Sequence, residues 1–415
     1  MLVLASEVTA APQSTSASRD AVATTFIAPG ATLGVIGGGQ LGRMFAHAAQ
    51  RSGYAVAVLD PDEASPAGRV ADLHIRAAYL DVEGLARLAE ASAAVTTEFE
   101  NVPAAALQSL AASRPVAPAA ATVAICQDRR LEKAAFAGCD VPCAPFAAIE
   151  CEADLAAVDA ALLPGILKTA RLGYDGKGQR RVADRLELSR AFADLGGVAC
   201  VLEQRLDLAA EVSVIVARNA RGEMVELPVQ ENLHRDGILA VTEVPAPGIG
   251  AEMQAASVAL ARRVCESIGH VGVLCVELFV LGDGRLVANE MAPRPHNSGH
   301  YSIDACDVSQ FDLQVRVLTG APLVAPRLHS AAVMLNLLGD LWWRESASAA
   351  HEPDWRAVLA LPGACLHLYG KREARRGRKM GHLTFIAADA AQARDRARAA
   401  GALLGIAAEA LPVSR

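Results

Sequence analysis

Two acidic residues set inside apolar runs are the strongest chemical signal in the chain. Residues 273–281 carry Glu277, the turn-like Gly282-Asp283-Gly284 follows, and residues 285–290 end in Asn289 and Glu290. Asp-Gly between two apolar runs marks a β-hairpin. With Asp283-Gly284 as a two-residue loop, Gly282 faces Arg285, and counting outward sets Glu277 directly opposite Glu290. Like charges so placed destabilise a sheet. The pair therefore calls for a cation between them or a proton on one of them. Magnesium held by one or two carboxylates plus nucleotide phosphates fits, with Asn289 as a neighbouring oxygen ligand. A slip of one residue would send the two acids to opposite faces.

Other residues point to phosphate handling. Ile166-Leu167-Lys168 ends an apolar strand on a lysine, and Gly173-Tyr174-Asp175-Gly176-Lys177-Gly178-Gln179 follows. Glycines at 173, 176 and 178 make a loop whose N–H groups can wrap phosphates, and Lys177 adds a point charge. The spacing is not that of a P-loop, which needs GxxxxGK[ST]. Glu203-Gln204-Arg205-Leu206 then runs from strand to loop, a stretch whose backbone can read adenine. Glu211 can hold ribose hydroxyls, although on sequence alone either glutamate also reads as an ordinary exposed residue. Near the start, residues 37–42 (Gly-Gly-Gly-Gln-Leu-Gly) match GxGxxG, and Asp60 stands about 20 residues on, where an NAD enzyme places its ribose-binding acid. The same turn serves any anion at a helix N-terminus, a single phosphate included. Dinucleotide and monophosphate both remain open on this segment.

The elements that must position these residues follow from patterning. Residues 32–36 read as a buried strand, 43–52 as a helix, 54–59 as a second strand, and 82–91 as a helix leading into a strand at 94–97. These βαβ units predict a parallel sheet with right-handed crossovers, ending near residue 125. Residues 128–138 read as a helix, and 146–205 alternate short strands with helices. Strands dominate from 210 to 320, with one helix at 254–269. The expected division is a disordered tail at 1–30, a Rossmann-like domain at 31–125, a small lid at 126–207, a large domain with the hairpin at 208–325, and a β-rich domain at 326–415.

Composition narrows the class. A chain of 415 residues calls for two or three domains. The net charge of −7 argues against a general nucleic-acid binder, though the basic cluster at 371–379 suits a small phosphorylated ligand. Nine cysteines without CxxC or zinc-like spacing read as reduced thiols of a cytoplasmic protein. Nothing approaches a membrane span. The first thirty residues lack the basic start and compact apolar block of a secretory leader.

In this order the pieces resemble the ATP-grasp superfamily, an α/β fold with an N-terminal Rossmann-like pre-grasp domain, α+β grasp domains and a small β-rich C-terminal domain. More narrowly, the chain resembles the N5-carboxyaminoimidazole ribonucleotide synthetases over residues 32–385. The matching stretches are residues 39–44, 99–103, 127–129, 173–179, 232–238, 289–300 and 377–382; that of 289–300, Asn-Glu-Met-Ala-Pro-Arg-Pro-His-Asn-Ser-Gly-His, is the most specific. The resemblance implies ATP-dependent carboxylation of 5-aminoimidazole ribonucleotide by bicarbonate, through carboxyphosphate, in purine biosynthesis.

The same resemblance implies a distribution of roles. ATP would be held by Arg129, Lys168, residues 173–179, Glu203, Gln204, Arg205, Leu206, Glu211, His234, Asn289 and Glu290. Magnesium, or manganese, would sit on Glu277 and Glu290. Arg294, His296 and Asn297 would hold bicarbonate and carboxyphosphate, with Asp175 and His296 as candidate bases. Tyr174 and Asp175 would reach the imidazole. Lys371 and Arg378 would take the ribonucleotide phosphate, helped by Gly39, Gln40, Leu41 and Gly42. A homodimer is the family expectation. Arg376 stands where the family often has proline. A formate-using transformylase or biotin carboxylase of the same fold, a non-catalytic ATP-binding module, and an NAD-linked oxidoreductase are the alternatives. The oxidoreductase leaves the hairpin and the 293–300 block unexplained, no biotin-carrier lysine motif is visible, and the intact metal acids argue against a non-catalytic module.

Overall fold

The computed structural model describes residues 25–173, 176–343 and 350–411. Tyr174, Asp175 and the tail through residue 24 lie outside the described residues. Ile27, inside the expected tail of 1–30, is tied to the fold: its N–H donates to Thr319 O (2.8 Å) and its O accepts from Tyr54 Oη (2.7 Å).

The first sheet is parallel, in the order Leu73–Ile75, Ala55–Leu59, Thr32–Ile36, Ala94–Thr97. Its three longer strands carry no charge because both faces are covered. Leu33, Val35, Val56 and Val58 pack on helix Gln40–Arg51, while Ile36, Leu59 and Val95 pack on helices Val82–Ala91 and Ala104–Ala111. Strand order reverses at Thr32–Ile36, so the segments leaving it and its neighbour Ala94–Thr97 flank a crevice at the carboxyl end of the sheet. Those segments are the glycine turn and Glu98-Phe99-Glu100.

The lid is a four-stranded antiparallel sheet, in the order Phe146–Ile149, Cys200–Gln204, Gly165–Thr169, Gln179–Val182. Leu167, Val182 and Leu202 form its core with Leu188 and Phe192 of helix Arg185–Asp194.

The third sheet holds nine strands, and eight of them run in the order Leu286–Ala292, Gly272–Leu281, Leu208–Arg218, Gln230–Arg235, Ile238–Val244, Ala331–Leu338, Lys379–Ala387, Ala364–Leu368. It passes without a break from the hairpin strands to the C-terminal strands. Alternation in Leu208–Arg218 divides its faces. Val212, Val214 and Val216 meet helix Ala251–Ser267, while Ile215 and Ala217 meet helix Gln310–Thr319. The second of these helices was not expected from the sequence. It is marked by a capping box, Ser309 with Asp312, and by Gly320 at φ +69° beyond its end.

Candidate functional site

The hairpin pairs Glu277 with Glu290, as the sequence predicts, but by a different route. The loop has three residues rather than two. Gly284 N–H donates to Leu281 O and Leu281 N–H to Arg285 O, with Gly284 at φ +84°, the usual geometry of a three-residue hairpin. That loop alone would shift every pair by one. A bulge at Asn289 shifts the register back, since Leu278 pairs with Ala288 and Glu277 with Glu290. Bulges re-aim side chains beside active sites, and this one holds its main chain by a bond from Lys133 Nζ to Asn289 O (3.0 Å). Asn289 Oδ1 is buried and without a partner.

The paired acids are not equivalent. Burial and then the charge of Glu290 hold the Glu277 carboxyl well above the ordinary range. Burial alone would raise Glu290 too, but Arg129, whose Nη1 donates to Glu290 Oε2 at 2.9 Å, holds it below. Burial and mutual repulsion therefore favour a proton on Glu277, while Arg129 keeps the charge on Glu290. A divalent ion would remove the need for that proton. Asn289, the chain neighbour of Glu290, carries an orphaned oxygen, a hard donor of the kind a divalent ion takes.

Glu203 is buried, not exposed, and carries two lysines: Lys168 Nζ lies 2.6 Å from Oε2 and Lys133 Nζ 3.1 Å from Oε1. Lys133 was missed from the sequence. Its signal was its place four residues after Arg129 on helix Arg129–Gly138, which puts both on one helical face. On the same helix Glu132 accepts from Met291 N–H at 2.6 Å, fixing the hairpin from below. Gln204 spends its amide on Ala161 O (3.0 Å), and Arg205 and Leu206 follow in the loop after the strand, Arg205 exposed.

Glu211 pairs with His234 Nδ1 at 2.8 Å. Burial would lower the His234 pKa, but the bond to Glu211 and the nearby Glu277 and Glu290 raise it to about 9. A pKa raised from 6.5 to about 9 contributes stability that is complete below 6.5 and is lost as pH rises through about 9. The melting-temperature gap between wild type and Glu211→Gln should therefore narrow from about pH 6 to about pH 10; a constant gap would remove this pair from the balance.

The flap is seated on the large domain. Gly176 (φ +74°) lies against the turn Asp236-Gly237, where an added Cβ would come within 2.6 Å of Asp236 O. A Cβ on Gly237 (φ +77°) would meet Gly176 Cα at 2.7 Å. Lys168 pairs with Gln179, and Thr169 N–H donates to Gly178 O across the flap's neck.

The loop after the hairpin is built on buried side chains. Arg294 donates to Glu100 Oε2 and to Pro295 O. His296 Nδ1 meets Ser298 Oγ (2.9 Å), and its Nε2 lies 3.3 Å from Glu277 Oε1. Burial, with Arg294 and Lys379 nearby, holds His296 well below its ordinary pKa, so it is neutral. Ser298 Oγ is tied to Ser213 Oγ (2.8 Å). Asn297 is buried with both amide atoms unpartnered, an unusual state for a polar group.

A cleft of about 790 Å³ joins these parts. Its lining includes Gln40, Leu41, Arg129, Gly173, Lys177, Glu290, Arg294, His296, Asn297, Lys371 and Arg378, with Glu98 and Glu100, to which the sequence assigned no role. Lys168, Glu203, Glu211, His234, Glu277 and Asn289 are not among the residues that line it. The glycine turn itself is largely occupied. Gly38 N–H donates to Asp60 Oδ2 (2.7 Å) and Gly42 N–H to Glu98 Oε2 (3.2 Å). Asp60 also accepts from Tyr79 Oη (2.6 Å), so its carboxylate is not presented to a ribose. Lys371 Nζ donates to Lys379 O (2.7 Å), and Arg378 Nη1 to Glu373 O (3.0 Å).

A second group, Asp304, His367 and His382, brings its polar atoms within 4.8 Å of one another. The two imidazoles are stacked with 12° between their planes. Lone pairs lie in the ring planes, so these two cannot converge on one ion, and the group is a stacked pair anchored by Asp304.

Three family models match the chain in order. They are the ribonucleotide synthetase preATP-grasp domain at residues 30–127, the ATP-grasp domain at 134–311, and the phosphoribosylaminoimidazole carboxylase C-terminal domain at 332–396. The N5-carboxyaminoimidazole ribonucleotide synthase of Brucella melitensis is 45% identical over 365 residues, covering 87% of this chain and 98% of that protein. The Bacillus subtilis enzyme of the same name is 42% identical over 87% of this chain and 92% of its own. Among solved structures, an N5-carboxyaminoimidazole ribonucleotide synthetase in complex with ADP superposes with a TM-score of 0.85 at 40% identity, covering 90% of this chain and 97% of that one. The Aspergillus clavatus synthase with ADP and 5-aminoimidazole ribonucleotide gives 0.82 at 30%, covering 90% and 98%.

Proposed function

The chain belongs to the N5-carboxyaminoimidazole ribonucleotide synthase family of ATP-grasp ligases, and we propose that the side chains gathered in this cleft carry out that family's reaction. The enzyme carboxylates 5-aminoimidazole ribonucleotide in purine biosynthesis, consuming ATP and forming ADP. The observation that carries the assignment of residues is the cleft itself, which unites the glutamate hairpin, the flap, the anion loop and the basic C-terminal loop in one space.

In this reading the nucleotide lies between lid and large domain. Lys168 and the flap face its phosphates, the segment from Glu203 to Leu206 faces adenine, and Glu211 with His234 faces the ribose. Glu277, Glu290 and Asn289 would hold a divalent cation. When bound, it offsets negative charge on the phosphates during phosphoryl transfer. Bicarbonate is a poor electrophile, and phosphorylation gives it a leaving group. Arg294 offers a planar fork to its carboxylate. Asn297 has an unused donor and an unused acceptor, and bicarbonate presents both an O⁻ and an O–H. The closed flap keeps water from the labile carboxyphosphate. His296, held neutral, and Asp175 are the two candidates to take the amine proton.

Lys371 and Arg378, at the cleft's far wall, face the ribonucleotide phosphate with Gln40 and Leu41. Lys371→Ala should raise the KM for the ribonucleotide roughly 10- to 100-fold, the worth of one hydrogen bond to a charged group, with little change for ATP. An unchanged KM would move the phosphate elsewhere. The nine cysteines, all free, and the lack of a membrane-spanning helix among the described residues support action in the cytoplasm, and homodimer formation is the family's expectation. The deciding assay is phosphate release from ATP. It should require bicarbonate and aminoimidazole ribonucleotide together, and turnover with formate in place of bicarbonate would instead select a transformylase.

A further inference from the structure

The anion loop, residues 296–300, is folded around one buried side chain that does not line the cleft. Gln310, at the start of helix Gln310–Thr319, is fully buried. Its Oε1 accepts from His296 N–H (2.8 Å), and its Nε2 donates to His296 O (2.8 Å) and approaches His300 Nδ1 (2.9 Å). Gly299 has no room for a Cβ, which would lie 2.6 Å from Gln310 Oε1. The main chain of Gln310 is itself tied to the loop, its N–H donating to Ser302 Oγ (3.1 Å).

This network decides the orientation of the amide. Turned the other way, the NH₂ group would face the His296 N–H and the oxygen would face the His296 carbonyl, two repulsive contacts. The amide therefore presents its NH₂ to His300, and both hydrogens are used, one on His296 O and one on His300 Nδ1. A ring nitrogen that accepts carries no proton. His300 is consequently a neutral imidazole with its proton on Nε2, and it lines the cleft.

Its surroundings agree. His300 is faced by Arg294 from its own loop, by Phe311 of the helix, and by Tyr369, Lys379 and His382 of the C-terminal strands, with His367 stacked beyond His382. Burial first, then Lys379, His367 and Arg294, hold it well below the ordinary histidine pKa. No carboxylate among these groups competes for Nδ1.

We propose that Gln310 is a positioning residue: its carboxamide clamps the His296 main chain from both sides and fixes His300 as an Nε2–H donor to an oxyanion of the substrates in the cleft. This rests on the carboxylation reading for the identity of the oxyanion, but not for the tautomer.

The two parts can be tested apart. In wild-type protein labelled with ¹⁵N-histidine, the His300 signals, assigned by their loss in His300→Asn, should show an unprotonated Nδ1 and a protonated Nε2 across neutral pH. A protonated Nδ1 would overturn the proposal whatever the enzyme's activity. Gln310→Glu gives the kinetic test. A carboxylate still accepts from His296 N–H but can only accept from His300, so the neutral ring must move its proton to Nδ1 and lose the donor facing the cleft. Turnover at pH about 8 should fall roughly 10- to 100-fold, the worth of a hydrogen bond to a charged group. It should recover relative to wild type as pH falls and the ring takes a second proton on Nε2. Gln310→Met, which removes the clamp without supplying an acceptor, should be impaired with no such recovery toward acid. A Gln310→Glu profile parallel to wild type would overturn the proposal.

Discussion

Glu290→Gln is expected to lower kcat by on the order of 10²–10³-fold or more, the usual cost of removing one group that stabilises transition-state charge, while the protein unfolds near the wild-type temperature. The substitution keeps the shape of the side chain and changes only its charge. Glu290 is the ionised member of the pair: it faces the cleft, takes the Arg129 guanidinium at 2.9 Å, and stands opposite Glu277. A glutamine there leaves Arg129 with a neutral acceptor and takes away half of the carboxylate pair that would hold a divalent ion. Stability should hardly move, because the weakened ion pair and the relief of repulsion from Glu277 act in opposite directions. For a pair that opens on the cleft, with side-chain exposures of 18% and 40%, each is worth on the order of 1 kcal/mol. Steady-state kinetics with saturating ATP, bicarbonate and ribonucleotide measure the first effect and calorimetry the second. Wild-type turnover in this variant would end the metal assignment.

The largest effect on stability should come from Glu203→Leu. That carboxylate is buried between two lysines, and Lys133 has no solvent exposure at all. Burial would raise the Glu203 pKa, but Lys168 and Lys133 together hold it below the ordinary range. Removing it leaves a sealed ammonium held only by neutral groups, the Asn289 carbonyl at 3.0 Å and the face of the Phe136 ring at 5.9 Å among the described residues. Breaking a buried charge network from one side costs about 3–5 kcal/mol. Urea unfolding should show a loss of that size, and adding Lys133→Met should restore a large part of it, because an apolar pair of similar volume has no charge to desolvate. A loss under about 1 kcal/mol for Glu203→Leu would mean the two lysines find other partners.

These two glutamates also show what the sequence made legible and what it did not. The opposition of Glu277 and Glu290 was read correctly from two assumptions that fail together. Gly282-Asp283-Gly284 permits either a two- or a three-residue loop, since either glycine tolerates positive φ, and the chain takes the longer one. The bulge at Asn289, held by Lys133 and without a local signature, restores the pairing. Glu203 could not be placed because its partners come from other elements, and no spacing along the chain records that meeting. The same holds for Asp60, whose distance from the glycine turn mimics a ribose-binding acid while its carboxylate is spent on Gly38 N–H and Tyr79 Oη. The first sheet was plainest, because strands covered on both faces read as short uncharged runs. Helix Gln310–Thr319 was lost among strand-like apolar residues, although its Ser309–Asp312 capping box was there to be read. With it went Gln310, which organises the most specific motif in the chain.

The central claim is that Glu277 and Glu290 meet across the hairpin to share a divalent ion with a nucleotide. Crystals grown with ADP and manganese, measured at the metal's absorption edge, test it directly. The account predicts an anomalous peak within about 2.5 Å of an oxygen from each carboxylate, beside Asn289. A fully occupied ion bound only to phosphates, with the two carboxylates turned apart, would contradict it.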